Sequence, residues 1–136
     1  MRVLVDSSVW IDFLRNNKTT QTDILTNLIL CRYDICICGF IFTEVLQGIR
    51  DENQHLKTKS EFLNLVYLSE DFSTFDLASS IYRELRKQGI TIRSTIDCMI
   101  AAIVIQNDVY FLESDKDFAL INEHYPLKRI EDISDL

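Results

Sequence analysis

The 136 residues include 47% hydrophobic side chains but only three glycines and one proline, enough apolar material for one core and no linker-like punctuation. Twenty-one acidic against fourteen basic residues give a formal charge of −7, which argues against a protein that coats a polyanion with a basic face. No apolar stretch is long enough to span a bilayer and no signal-peptide pattern opens the chain, so a single soluble, cytoplasmic domain over residues 1–136 with no membrane partner is expected.

Arg2 to Val5 carries an unbroken aliphatic run, the pattern of a strand buried on both faces, and it ends at Asp6. Val9, Trp10, Phe13 and Leu14 then fall on one helical face, with Ser7 or Ser8 as a cap and Trp10 as a core or subunit contact. Thr20 to Arg32 repeats that period through Ile24, Leu25, Leu28 and Ile29; DICICGF follows as a second strand that Gly39 stops. Thr43 to Arg50 reads as a helix with Val45, Leu46 and Ile49 inward, which places Glu44 in its first turn. Asp51 to Leu65 reads as another, with Leu56, Phe62, Leu63 and Leu65 as its apolar positions, before a third strand over Val66 to Glu70.

Ser73 to Gln88 is strongly amphipathic and Gly89 stands where a helix C-cap belongs. A helix from Ser94 or Thr95 to Asn107 is apolar on nearly every side after Asp97 and must be central. Val109 to Leu112 gives a fourth strand, followed by Glu113, Ser114 and Asp115, a short helix over Asp117 to Ile121, an edge strand within Pro126 to Ile130, and an acidic tail expected to fray. Strands alternating with helices point to an α/β sandwich around a parallel sheet of four or five strands.

In such a sheet, ligands gather outside the carboxyl ends of the strands. Asp6 and Asp115 follow strands to that edge, and Glu44 and Asp97 reach it from helices. Four carboxylates gathered there would raise one another's pKa unless a hard cation neutralised them; oxygen-only ligation favours Mg²⁺ or Mn²⁺ over zinc or copper. Such a site supports in-line attack of water on a phosphodiester. Each acid also has a structural role open to it: Asp6 as a cap, Glu44 and Asp97 as partners of helix dipoles, Ser94 with Asp97 as an S-x-x-D capping pattern, Asp115 and Asp117 as turn formers. His55 and His124 are expected at the surface, and the C-x-C of Cys36 and Cys38 as core thiols rather than a zinc or disulfide site.

The segments VLVDSSVWIDFLR, FTEVLQGIR, TIDCMIAAIVIQND and VYFLESDKDF resemble, in order and spacing, the PIN-domain ribonucleases, and among them the VapC-type toxins of bacterial toxin–antitoxin pairs. The resemblance implies a three-layer α/β/α sandwich with a parallel sheet, Mg²⁺- or Mn²⁺-dependent cleavage of RNA, often tRNA, homodimerisation, and inhibition by a cognate VapB-type antitoxin with a basic segment. It also implies that Asp6, Glu44, Asp97 and Asp115 are the catalytic and metal-binding acids, supported by Ser7, Ser8 and Asp117. One departure is Glu113, where relatives often carry Thr or His; it adds negative charge at the site's rim. Arg83, Arg86, Lys87 and Arg93 form the one basic cluster available to face RNA. The alternatives are a PIN-like binding module without turnover and a structure-specific DNA nuclease. Ser8, standing where an Asp two residues after Asp6 is needed, argues against a haloacid-dehalogenase-type phosphatase.

Overall fold

The computed structural model describes residues 1–136. Its five strands are β1 (Arg2–Val5), β2 (Asp34–Ile37), β3 (Val66–Tyr67), β4 (Tyr110–Leu112) and β5 (Lys128–Arg129), all parallel in the order β3-β2-β1-β4-β5. The helices are α1 (Ser7–Leu14), α2 (Thr20–Leu30), α3 (Gly39–Gln47), α4 (Glu52–Phe62), α5 (Phe72–Lys87), α6 (Thr95–Asn107) and α7 (Lys116–Asn122).

Parallel strands must be joined by crossovers, and the helices supply them in two sets. One set, α1 to α4, packs within itself; the other pairs α5 with α6 and α6 with α7. Val3, Leu4 and Val5 of the central strand are fully buried, so both sheet faces are covered, as the apolar run required. The three-layer α/β sandwich is thus the observed architecture. Helix α6 buries Cys98, Ile100, Ala101, Ala102, Ile103 and Val104, confirming its central place.

Strand order reverses between β1 and β4. From β1 the chain builds outward through β2 and β3 on one side, and β4 and β5 close the other. A crevice at the carboxyl ends of two such strands is the switch point of an open α/β sheet, and Asp6 and Asp115 follow the two strands that flank it.

Several boundaries differ from the sequence reading. Gly39 opens α3 rather than stopping the strand, because Cys38 has the extended backbone of an N-cap (φ −127°) directly after β2. Glu44 therefore sits in the second turn. Helix α4 ends at Phe62 and leaves Leu56 and Leu63 more than half exposed, so Thr58 and Phe62 carry its inward face. Asp71 caps α5 through the Ser73 and Thr74 amides, and Gly89 takes the left-handed φ of 80° expected after the helix end. The acidic tail is ordered by a single 3₁₀ turn, Ile133–Asp135, in which the Asp135 carboxylate accepts from the Glu131 and Asp132 amides.

Candidate active site

Asp6 is held by its backbone. Its N–H donates to the Leu112 carbonyl of β4 at 2.9 Å, and its own carbonyl accepts the Val9 and Trp10 amides that start α1. The side chain makes no cap hydrogen bond, so the capping role open to Asp6 is not used. Its carboxylate instead accepts from Ser8 Oγ at 2.8 Å, and Ser8 accepts from Ser114 Oγ at 3.1 Å, linking the ends of β1 and β4. Burial raises the Asp6 pKa, Ser8 pulls it back, and the charge of Asp115 pushes it up again.

Asp97 lies in the first turn of α6, where Ser94 is the N-cap residue but makes no side-chain cap bond; the S-x-x-D pattern does not form a capping box. The Asp97 carboxyl is pushed up to about 7, first by burial and then by the charges of Asp115, Asp6, Asp117 and Glu44. Asp115 does cap α7, accepting the Asp117 amide on Oδ1 at 2.9 Å. Asp117, expected only to support the site, is nearly fully buried and completes its tightest group: carboxylate oxygens of Asp97, Asp115 and Asp117 all lie within 4.8 Å of one another.

Asp6 and Glu44 are not part of that group, yet both act on Asp97 through charge. Glu44 is half-buried on α3, and its Oε1 is a buried atom with no hydrogen-bond partner. Its pKa is raised by burial and by Asp6, against the lowering pull of the Ser7 hydroxyl. Carboxylates crowded in this way raise one another's pKa, and they offer oxygen only, the donor chemistry that suits Mg²⁺ or Mn²⁺.

Two basic residues meet the acids, and sequence pattern identified neither pairing. Glu113 is buried, not at the rim; its Oε1 accepts from Arg129 Nε at 2.6 Å, and Arg129 Nη1 also donates to Glu131 at 2.9 Å. Arg93, between α5 and α6, donates its backbone N–H and its Nε to Asp117 Oδ2 at 3.3 and 3.4 Å, with Nη2 3.7 Å from Asp115 Oδ1. Arg86 lies over the Tyr82 ring and Lys87 pairs with Glu84, so only Arg93 of the basic cluster reaches the acids. His124 is exposed and His55 half-buried on α4; neither joins the site. Cys36, Cys38 and Cys98 are buried free thiols, and Cys31 is exposed.

A parallel sheet with acids converging on its switch point defines a class of metal-site α/β folds. The PIN domain model matches residues 3–123, and the chain belongs to that family, in its VapC branch. It is 31% identical over 121 residues to VapC ribonuclease Mb1587 of Mycobacterium bovis and to ribonuclease VapC11 of Mycobacterium tuberculosis, covering 88% of this chain and 90% of theirs. The solved structure of VapBC-1 from nontypeable Haemophilus influenzae superposes with a TM-score of 0.71 at 16% identity, over 98% of this chain and 99% of that one. VapBC2 from Rickettsia felis, bound to a DNA fragment from its promoter, gives 0.70 at 16% identity over 96% and 98%. At that identity the superpositions speak for the fold. No helix of this chain is long and apolar enough to cross a membrane.

Proposed function

We propose that this chain, as one PIN-like domain over residues 1–136, is a divalent-metal-dependent endoribonuclease: a cytoplasmic toxin that cleaves RNA, tRNA foremost, and is neutralised by a VapB-type antitoxin. The observation that carries the reading is the group of three carboxylates within 4.8 Å, at the switch point of a PIN fold, in which Asp97 is raised to about 7. Its relatives named as VapC ribonucleases support RNA as the substrate, and the VapBC structures support the partner.

Asp97, Asp115 and Asp117 would hold Mg²⁺ or Mn²⁺, with Asp6 and Glu44 completing the negative field. When bound, the ion supplies a lowered pKa for the attacking water and charge neutralisation at the phosphate. The chain's own residues prepare that site. Ser8 and Ser114 orient the Asp6 carboxylate, and the β4 carbonyl of Leu112 fixes its backbone. With the Asp97 carboxyl pushed up to about 7, a cation held there would compete with its proton, which would couple metal uptake to pH.

Apolar surface that the fold leaves uncovered supports the reading with protein partners. A groove of about 480 Å³ between α1, α2 and α4 is lined by Trp10, Phe13, Ile29, Phe62 and Leu65. That groove suits an apolar antitoxin segment, while the acids suit a basic one. Phe72, 92% exposed, and Phe75 at the start of α5 would offer a homodimer an apolar contact.

The test is cleavage of total tRNA by the purified, antitoxin-free protein with Mg²⁺, Mn²⁺ or EDTA, beside Asp6→Asn and Asp97→Asn. Metal-dependent products absent from both variants support the reading. No cleavage by a folded wild-type protein under any metal would refute it for tRNA and direct the search to other RNAs, then to the binding-module alternative.

A further inference from the structure

Resting on the nuclease reading, we infer that Arg93 is the residue that grips a phosphate of the RNA chain beside the carboxylate group. Three carboxylates within 4.8 Å repel an incoming polyanion, and an overall charge of −7 offers it no general attraction. Besides any bound ion, a cation fixed at the rim of the acids would offset that repulsion. Arg93 is the one basic side chain ion-paired with them.

Its contacts leave it free for that task. Of the five guanidinium N–H donors, only Nε–H makes a hydrogen bond to the protein, and at 3.4 Å a long one. The side chain is 76% exposed, against 7% for Asp117 beside it. The backbone, by contrast, is pinned, because the Arg93 amide itself donates to Asp117. An anchored Cα and an open guanidinium fork are what bidentate recognition of phosphate oxygens requires.

Arg129 shows the opposite arrangement. Its side chain is 22% exposed and hydrogen-bonds Glu113 and Glu131 through separate nitrogens, so it is spent on holding the fold. A merely stabilising role for Arg93 is disfavoured by its exposure and its long contacts, since exposed pairs of that kind contribute little.

The test compares wild type, Arg93→Ala and Arg93→Lys in the full chain by three readouts: Mn²⁺ affinity, affinity for fluorescently labelled bulk tRNA in Mn²⁺ across a salt series, and steady-state cleavage of the same tRNA. Bulk tRNA is a sufficient probe because phosphate contacts are sequence-independent. Arg93→Ala is expected to weaken tRNA binding and raise KM by roughly tenfold. It should also flatten the slope of log affinity against log salt by about 0.7–0.9. Mn²⁺ affinity should be unchanged or tighter in this variant, because a competing cation has gone. Arg93→Lys should restore the slope but not the whole affinity, a point charge replacing a fork.

Unchanged tRNA affinity, KM and salt slope in Arg93→Ala, with only Mn²⁺ binding altered, would make Arg93 a resting counterion and overturn the inference. A wild type that fails to cleave would refute the nuclease reading for tRNA alone, since the binding arm still decides for or against Arg93. A wild type that neither binds nor cleaves would overturn both.

Discussion

Arg129 Nε donates to Glu113 Oε1 at 2.6 Å, tying the two-residue edge strand β5 to the first residue beyond β4. The Glu113 side chain is only 2% exposed, and its second oxygen has no partner at all. Burial pushes its pKa up; Arg129 and the Asp115 amide draw it down again. The pair thus holds the turn that carries Ser114 and Asp115 into the site.

Removing the guanidinium should therefore strand a buried charge. Arg129→Ala is expected to lower stability by about 3–5 kcal/mol at neutral pH, whereas Glu113→Gln should cost about 1 kcal/mol. The loss in Arg129→Ala should shrink in acid: Glu113 is already raised in the folded state, and without Arg129 it rises further, so folding then favours its protonated form. Urea melts of both variants at pH 5 and pH 7.5 check this, and equal losses for the two variants would contradict it.

Asp97 sets a second pH dependence. Its folded pKa of about 7 lies above its ordinary value of 3.8, so between those values the folded state binds more protons than the unfolded chain. Metal-free protein should consequently lose stability as pH rises from about 4 to about 7. Saturating Mn²⁺ should abolish or reverse that trend by favouring the ionised carboxylate. Thermal melts with EDTA and with Mn²⁺ over this range provide the comparison.

The same repulsion predicts a trade of function against stability. Asp97→Asn and Asp6→Asn each remove one charge at nearly constant volume, so both should raise the Tm of the metal-free protein while cutting cleavage by about 100-fold, the upper end of what losing an outer partner of a metal ligand costs. A lower Tm in both variants would show that these carboxylates hold the fold rather than strain it.

The thiols should divide by burial. Cys38 and Cys98 are each pushed up to about 11 by burial and Cys36 is raised for the same reason, so none supplies much thiolate at neutral pH. Native protein should present one fast-reacting thiol, Cys31, and four after unfolding, in a colorimetric thiol titration. Cys36→Ser and Cys38→Ser should leave cleavage in place and affect mainly stability.

Some of this was legible in the sequence because it is local. The apolar run of β1 fixed Asp6 at a strand end, and the all-round apolarity of α6 announced a central helix. The α3 boundary was not legible: Gly39 and Phe40 read as a strand exit, and only the extended Cys38 backbone shows that the helix starts there and carries Glu44 into its second turn. The fate of Leu56 and Leu63 was hidden for a related reason, since a mostly polar helix sets no face by periodicity alone. Asp117 at the heart of the carboxylate group depends on how α7 returns towards α6. Glu113 and Arg129 lie sixteen residues apart, and Arg93 and Asp117 twenty-four; a charge pair at such separations leaves no periodic trace.

The strand order also carries a consequence for synthesis. β1 is made first yet occupies the middle of the sheet, with Val3 paired to Tyr110 and Val5 to Leu112. A chain growing on the ribosome displays Asp6 early, but the flank of β1 that bears the site stays open until β4 arrives, and Asp115 and Asp117 follow only then. Non-local pairing of this kind delays folding until its second partner exists. The topology therefore leaves the carboxylate group incomplete until most of the protein has been made.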